Sequence, residues 1–267
     1  MPQETFRFSI GIHSAKSSAA LQDKARRLED AGFDVLHLPD HIGAPAPFPV
    51  LTAIAAATTT VRVGTYVLNA CFYKPALLAR DAAAVNDLSD GRLELGLGAG
   101  YVKEEFEAAE LPYPSAGQRV DYLRHVTTYL KEHHPSIPIL IAGNGNRLLT
   151  VAAQHADKIG LTGANNALAE RIEFVRAAAG DRFADLELNL AITAVSDASG
   201  KPDLSMTRRY APDLSDEELL ALPAVLSGTP RDIADTLRGY RETYGLTSVT
   251  VQEHHAETFA KVIAEFR

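Results

Sequence analysis

Asp40 and His41 follow a short apolar run and Pro39. A carboxylate beside an imidazole can move a proton, the aspartate tuning the histidine. An aspartate capping the next turn beside a surface histidine reads the same way in sequence. Further along, Gly96-Leu97-Gly98-Ala99-Gly100 strips most side chains from the backbone. A flat or phosphorylated ligand can then approach main-chain N–H groups closely. The run is not the dinucleotide fingerprint, because its third glycine comes one residue early and it does not open a first βα unit. Gly143-Asn144-Gly145-Asn146 leads into a helix beginning near Arg147. Free N–H groups and the helix dipole attract anions at such a start, although an ordinary helix cap looks alike. Tyr66-Val67-Leu68-Asn69, followed by Phe72-Tyr73, sets aromatics where they wall a pocket or pack a core. His13 ends an alternating run in phase with Ser9 and Gly11, which suits either a core histidine or a ligand contact.

Other chemistries find little support. Nine histidines are scattered, and His133-His134 and His254-His255 are adjacent pairs on helix ends rather than ligands spaced on one face, so no metal site is expected. A G-x-S-x-G nucleophile elbow is absent, and Cys71 has no partner for a disulfide. Arg208-Arg209 either meets an anion or forms a solvated basic patch.

These residues fall at the ends of short β-rich runs that alternate with amphipathic helical runs. Phe6, Phe8, Ile10 and Ile12 alternate with Arg7, Ser9, Gly11 and His13, a period of two. Ser17 or Ser18 can cap a helix that buries Leu21, Ala25 and Leu28 and stops at Gly32. Strands are predicted over 34–38, 61–68, 92–97, 137–142, 158–162, 186–195 and 247–251. Helices are predicted over 50–58, from Pro75 to before Gly91, and over 116–134, 148–154, 167–179 and 256–266. Thr229-Pro230-Arg231-Asp232 opens a further helix of the capping-box kind, which Gly245 ends. Regularity fails over 196–227, where Gly200, Pro202, Pro212 and Pro223 leave only a short helical patch at 217–222. Alternation resumes after it, so the stretch is an excursion and not a domain boundary. Parallel strands joined by helical crossovers leave an open doubly wound sheet or a closed barrel. Eight strand–helix units with no linker favour a single-domain (β/α)8 TIM barrel, with the active site at the C-terminal ends of the strands.

The 267 residues carry 26 basic and 34 acidic side chains, a formal charge of −8 that argues against nucleic-acid binding. No run approaches the ~18 apolar residues of a membrane span, and the start lacks the pattern of a signal peptide. A soluble cytoplasmic protein acting on a small molecule is expected.

One block of sequence is more specific than any of this. Arg62-Val63-Gly64-Thr65, Lys74-Pro75-Ala76-Leu77-Leu78-Ala79-Arg80, Leu88-Ser89-Asp90-Gly91-Arg92-Leu93 and Leu95-Gly96-Leu97-Gly98-Ala99-Gly100-Tyr101 occur in that order. The block resembles the luciferase-like monooxygenase family, and most closely its branch that uses the deazaflavin coenzyme F420. Phe33-Asp34, Asp40-His41, Ile139-Leu140-Ile141-Ala142-Gly143 and Ser227-Gly228-Thr229-Pro230 fit the same pattern.

The resemblance implies a (β/α)8 barrel, often a homodimer, holding a flavin or deazaflavin over the strand ends. It places Asp40 and His41 at the ring, with His41 as the candidate for proton transfer, and a non-proline cis peptide near Tyr66-Val67 behind it. His13, Tyr66, Val67, Leu68, the Gly98-Ala99-Gly100 turn and the Ala142-Gly143-Asn144-Gly145 turn become the cofactor contacts. The expected activity is hydride transfer between the deazaflavin C5 and a small organic substrate. An FMN-dependent monooxygenase and a non-catalytic flavin- or deazaflavin-binding relative are the alternatives. Two departures stand out: a shortened strand-four to strand-five connection, and Tyr101 where some members carry an acidic residue.

Overall fold

A computed structural model describes residues 6–14, 16–162, 168–196 and 202–267. The reading of residues 1–5 as lacking a leader, Ala167 at the head of a predicted helix, and Gly200 in the excursion lie outside the described residues. The strands are β1 (Arg7–Gly11), β2 (Val35–Leu38), β3 (Arg62–Thr65), β4 (Leu68–Asn69), β5 (Leu93–Gly98) and β6 (Ile139–Ala142). They continue as β7 (Lys158–Thr162), β8 (Glu187–Ala191), β9 (Ala194–Ser196), β10 (Val225–Ser227) and β11 (Ser248–Gln252). Every pairing is parallel, β11 joins β8 to β1, and β3 pairs with β5 to close the ring. With β4 continuing β3, the result is the eight-stranded barrel that the alternation predicts. Helices cover its outside, so the strands are buried on both faces; all six residues of β5 are buried.

The helices are α1 (Ser18–Asp30), α2 (Pro47–Ala57), α3 (Pro75–Leu88), α4 (Lys103–Ala108), α5 (Ala116–His133) and α6 (Asn146–His155). The rest are α7 (Leu168–Ala179), α8 (Ser205–Tyr210), α9 (Asp216–Leu220), α10 (Pro230–Tyr244) and α11 (Ala256–Ala264). Their ends follow the chemistry of capping. Ser17 accepts from the Ala20 N–H to start α1, and Thr229 and Asp232 form the capping box of α10, which Gly245 ends in the left-handed region.

Two predicted strands are broken, each for a visible reason. The run 61–68 divides into β3 and β4 at a bulge that contains the cis peptide Tyr66–Val67. Gly64 pairs with Glu94 and Leu68 with Leu97, so four steps on one strand face three on the other. Thr65 repairs the interrupted ladder: its Oγ1 donates to the Gly96 carbonyl (2.8 Å) and accepts from the Gly96 N–H (2.9 Å). The run 186–195 divides because the N–H groups of Thr193 and Ala194 turn to the Ala224 carbonyl. That turn starts β9, which pairs with β10, so the excursion carries a small parallel sheet of its own.

The floor of the barrel is ionic. Arg7, Arg62, Lys158 and Glu187 open their strands and Glu94 is the second residue of β5, so all five gather at the N-terminal end. Glu94 receives Arg7 (2.6 Å), Arg62 (2.6 Å) and Lys158 (2.8 Å), while Glu187 receives Arg7 (2.8 Å) and Lys158 (3.0 Å).

Candidate active site

Above this plug lies a polar layer inside the barrel. The Tyr66 hydroxyl donates to Asn189 Oδ1 (3.2 Å), Thr250 Oγ1 donates to the same atom (3.1 Å), and Asn189 Nδ2 donates to Ser248 Oγ (3.1 Å). The His37 ring stacks on Tyr66 at 5.3 Å. Burial pushes His37 down to about 4, so its imidazole is neutral at physiological pH. Burial, with the nearby phenol of Tyr210 adding to it, pushes the Tyr66 hydroxyl well above its ordinary range.

Tyr66 is also the base of a cavity of about 670 Å³ that opens at the C-terminal ends of the strands. This size suits a cofactor-sized ligand, for which sites run from about 300 to 1,000 Å³. The predicted site residues converge there from separate strand ends. His13 follows β1, Asp40 and His41 follow β2, and Tyr66, Val67 and Leu68 come from the bulge. Gly98, Ala99 and Gly100 come from the end of β5, and Ala142, Gly143 and Gly145 from the end of β6. Asn144 alone among them does not line the cavity; its amide is bonded to Thr162 Oγ1 instead.

The glycines are needed for the bulge as much as for a ligand. A Cβ on Gly98 would sit 2.7 Å from Val67 Cγ2, and one on Gly160 would sit 2.9 Å from the Tyr66 hydroxyl oxygen. Gly98→Ala is therefore expected to lower stability by about 1–3 kcal/mol, as overpacked positions do. Urea unfolding tests this, and a loss below about 0.5 kcal/mol, the range of ordinary surface changes, would contradict it.

Asp40 is half-buried, and that burial pushes its carboxyl above the ordinary range despite the hydrogen bonds it accepts from the Asn69 N–H (3.1 Å) and from the Tyr73 hydroxyl. It thus ties the loop after β2 to the end of β4 and the turn that follows it. His41 is exposed at the mouth, with Nδ1 2.7 Å from Glu105 Oε1. A carboxylate only accepts, so Nδ1 carries the hydrogen in this pair and Nε2 is left to exchange a proton. His13 is not a core histidine: it is exposed at the rim, where Nε2 meets Gln252 Oε1 (2.6 Å) and its N–H donates to Glu253 Oε2 (3.0 Å).

Sequence reasoning missed Glu105 because it missed α4. This six-residue helix buries one side chain, Phe106, which packs against Phe72 (5.3 Å) and Tyr113 (5.1 Å). A single buried residue gives no periodicity to read. The aromatic anchor nonetheless fixes the helix so that the neighbouring Glu105 reaches His41. The cavity wall from α8, Met206 and Tyr210, was also missed. Arg208 proves to be a tether, bound to the Leu214 carbonyl (3.0 Å) and to Asp216.

At the start of α6 no side chain caps Gly145, so N–H groups of the first turn stay available to an anion. Arg147, beside them, is held by both oxygens of Asp121 (2.6 and 2.7 Å).

The family model for luciferase-like monooxygenases matches residues 5–201. A methylenetetrahydromethanopterin reductase of Archaeoglobus fulgidus is 31% identical over 151 residues, covering 49% of this chain and 45% of that protein. An F420-dependent glucose-6-phosphate dehydrogenase of Amycolatopsis mediterranei is 32% identical over 121 residues, covering 42% of this chain and 36% of that protein. These matches span less than half the length of either relative. In fold, the F420-dependent tetrahydromethanopterin reductase of Methanopyrus kandleri superposes with a TM-score of 0.78 at 16% identity, covering 98% of this chain and 100% of that one. A riboflavin lyase bound to modified FMN and riboflavin superposes with a TM-score of 0.79 at 16% identity, covering 98% and 91%.

Proposed function

Because the chain belongs to the luciferase-like monooxygenase family, we propose that it is an oxidoreductase that binds F420 at the C-terminal mouth of its barrel and transfers a hydride between the cofactor and a small organic substrate. One observation carries this reading: the side-chain-poor turns after β5 and β6, the Tyr66–Val67 bulge and the Asp40-His41 pair all line one cavity. When bound, the deazaflavin supplies a carbon that gives or accepts a hydride, and the protein supplies position and a proton.

The residues fit such a group. Tyr66 and Val67 offer a broad flat backing, and Gly98-Ala99-Gly100 exposes main chain where a ring edge would lie. The open N-terminus of α6 suits an anionic tail. Local attraction matters here, because a protein of net charge −8 repels an anionic ligand at long range. Asp40 orients the ring region through its hold on the end of β4, just beyond the bulge. His41, steadied by Glu105, holds or releases a proton at Nε2.

The F420-dependent reductase and dehydrogenase relatives support F420, whereas the FMN-bound fold neighbour keeps FMN as the second reading. Fluorescence titration decides between them. Saturable quenching of F420 by the purified protein, with no response from FMN, is the expected result. Binding of FMN alone would overturn the choice of cofactor. Binding of F420 with no turnover on any acceptor would favour the non-catalytic relative.

A further inference from the structure

The outer wall of the cavity comes from elements that carry none of the ring-holding turns. Tyr101 and Val102 follow Gly100, and Met206 and Tyr210 project from α8. Met206 and Tyr210 are four residues apart and share one face of that helix. The rest of α8 fastens it to the barrel: Thr207 is fully buried with its Oγ1 2.8 Å from Thr193 Oγ1, and Arg208 is tethered to the Leu214 carbonyl. Tyr101 and Tyr210 are hydrogen-bonded to each other by their side chains. Even so they are 69% and 47% exposed, two aromatic rings standing open at a mouth.

Charge on this side is already committed. Arg119 donates to the Gly100 carbonyl (2.8 Å) and the Pro114 carbonyl (2.5 Å), and lies 4.4 Å over the Tyr113 ring. Arg147 is paired with Asp121. Among the described residues that line the cavity, no arginine or lysine is without such a partner, while Asp40 and Glu105 both face in. A phosphate dianion placed beside them would meet carboxylates and no free cation. A flat neutral molecule would find aromatic faces and a thioether.

We propose that the space under Tyr101 and Tyr210 takes an uncharged, flat, mainly apolar carbonyl compound, such as a quinone, and not a phosphorylated sugar. The inference rests on the cofactor reading and names its substrate class. Reduction of a quinone there takes one hydride from the reduced deazaflavin, which is oxidised, and one proton, which His41 is placed to give; the product is the hydroquinone.

Duroquinone is a suitable probe, since its fully substituted ring cannot add the Cys71 thiol. Calorimetric titration of the F420-loaded protein with duroquinone and with glucose 6-phosphate, and of the cofactor-free protein with duroquinone alone, tests the inference. Duroquinone is expected to bind saturably and glucose 6-phosphate not to bind. Tyr210→Ala should weaken duroquinone about tenfold and Tyr210→Phe should keep its affinity, as loss and retention of a stacking ring require. F420 affinity of the same variants, followed separately by fluorescence, should stay close to the parent. Saturable binding of glucose 6-phosphate, or duroquinone affinity indifferent to Tyr210→Ala, would overturn the inference. Tyr210-dependent duroquinone binding by a protein that does not take up F420 supports the substrate class and overturns only the cofactor reading.

Discussion

A His41→Ala protein is expected to oxidise reduced F420 with duroquinone about 10²–10⁴-fold more slowly than the parent, the usual worth of a positioned general acid or base. The ring stands in the open mouth and its Nδ1 is held by Glu105 at 2.7 Å. Its removal leaves no cavity in a core, and the one carboxylate that loses its partner, Glu105, lies at the open mouth where water can take the place of the imidazole. Stability should change by no more than about 0.5 kcal/mol, and F420 binding should stay within a few-fold. Single-turnover kinetics and fluorescence titration separate the two effects. Added imidazole should restore part of the lost rate, because the vacated space opens to solvent. Glu105→Gln keeps the shape of the partner and removes its charge, so a smaller loss of about tenfold is expected, since one hydrogen bond to a charged group contributes about 1.5–3 kcal/mol and the amide retains part of it. Full activity in His41→Ala would assign the proton to another group. Asp40 is the next in line, because partial burial already raises its carboxyl above the ordinary range.

The contrast between His41 and Glu105 shows what the sequence could reveal. Asp40 and His41 are adjacent, and the turns at Gly98 and Gly143 are written in glycine, so each was legible within a few residues. The strand–helix alternation was legible for the same reason: strands covered on both faces and helices with one apolar stripe are local patterns. Glu105 was not, because the charged run Lys103–Glu107 hides a helix whose only buried side chain is Phe106. The contact it makes spans 64 positions. Tyr210 and Met206 were hidden more deeply. They lie in a stretch broken by Pro202 and Pro212, and only the Thr207–Thr193 bond shows that its short helix turns back over the cavity. The predicted run 61–68 failed at Tyr66–Val67 because the residues around the break, Thr65, Tyr66 and Val67, all favour strand. The bulge is set by the register against β5, which no window of sequence contains, and its cis peptide is expected only from the family resemblance.

The ionic floor was invisible on the same ground, since Arg7 and Glu187 are 180 positions apart, yet it carries the largest expected effect on stability. Replacing Glu94 by glutamine should cost about 3–5 kcal/mol, as removal of one member of a buried ion-pair cluster does. Arg7 and Lys158 would then keep only the carboxylate of Glu187, and Arg62 would lose the one carboxylate it meets. The acid limb of stability provides a second, independent signature. Burial alone would push the Glu94 carboxyl up, but Arg7, Lys158 and Arg62 together outweigh it and hold the group down to about 2, against an ordinary 4.5. A carboxyl lowered on folding binds more protons when the chain is unfolded. Its contribution is thus complete above about pH 4.5 and is lost as pH falls toward 2, a change of about 3 kcal/mol. Glu29, which accepts from the N–H groups of Thr59, Thr60 and Val61, is lowered into the same window. The difference between parent and Glu94→Gln isolates the floor: their urea-unfolding free energies should differ most near neutrality and converge in acid. A gap that stays constant down to pH 2 would mean that Glu94 acts by packing and not by charge. A variant within 1 kcal/mol of the parent at pH 7 would mean that solvent already screens the cluster, and that the barrel is held shut by its apolar layers alone.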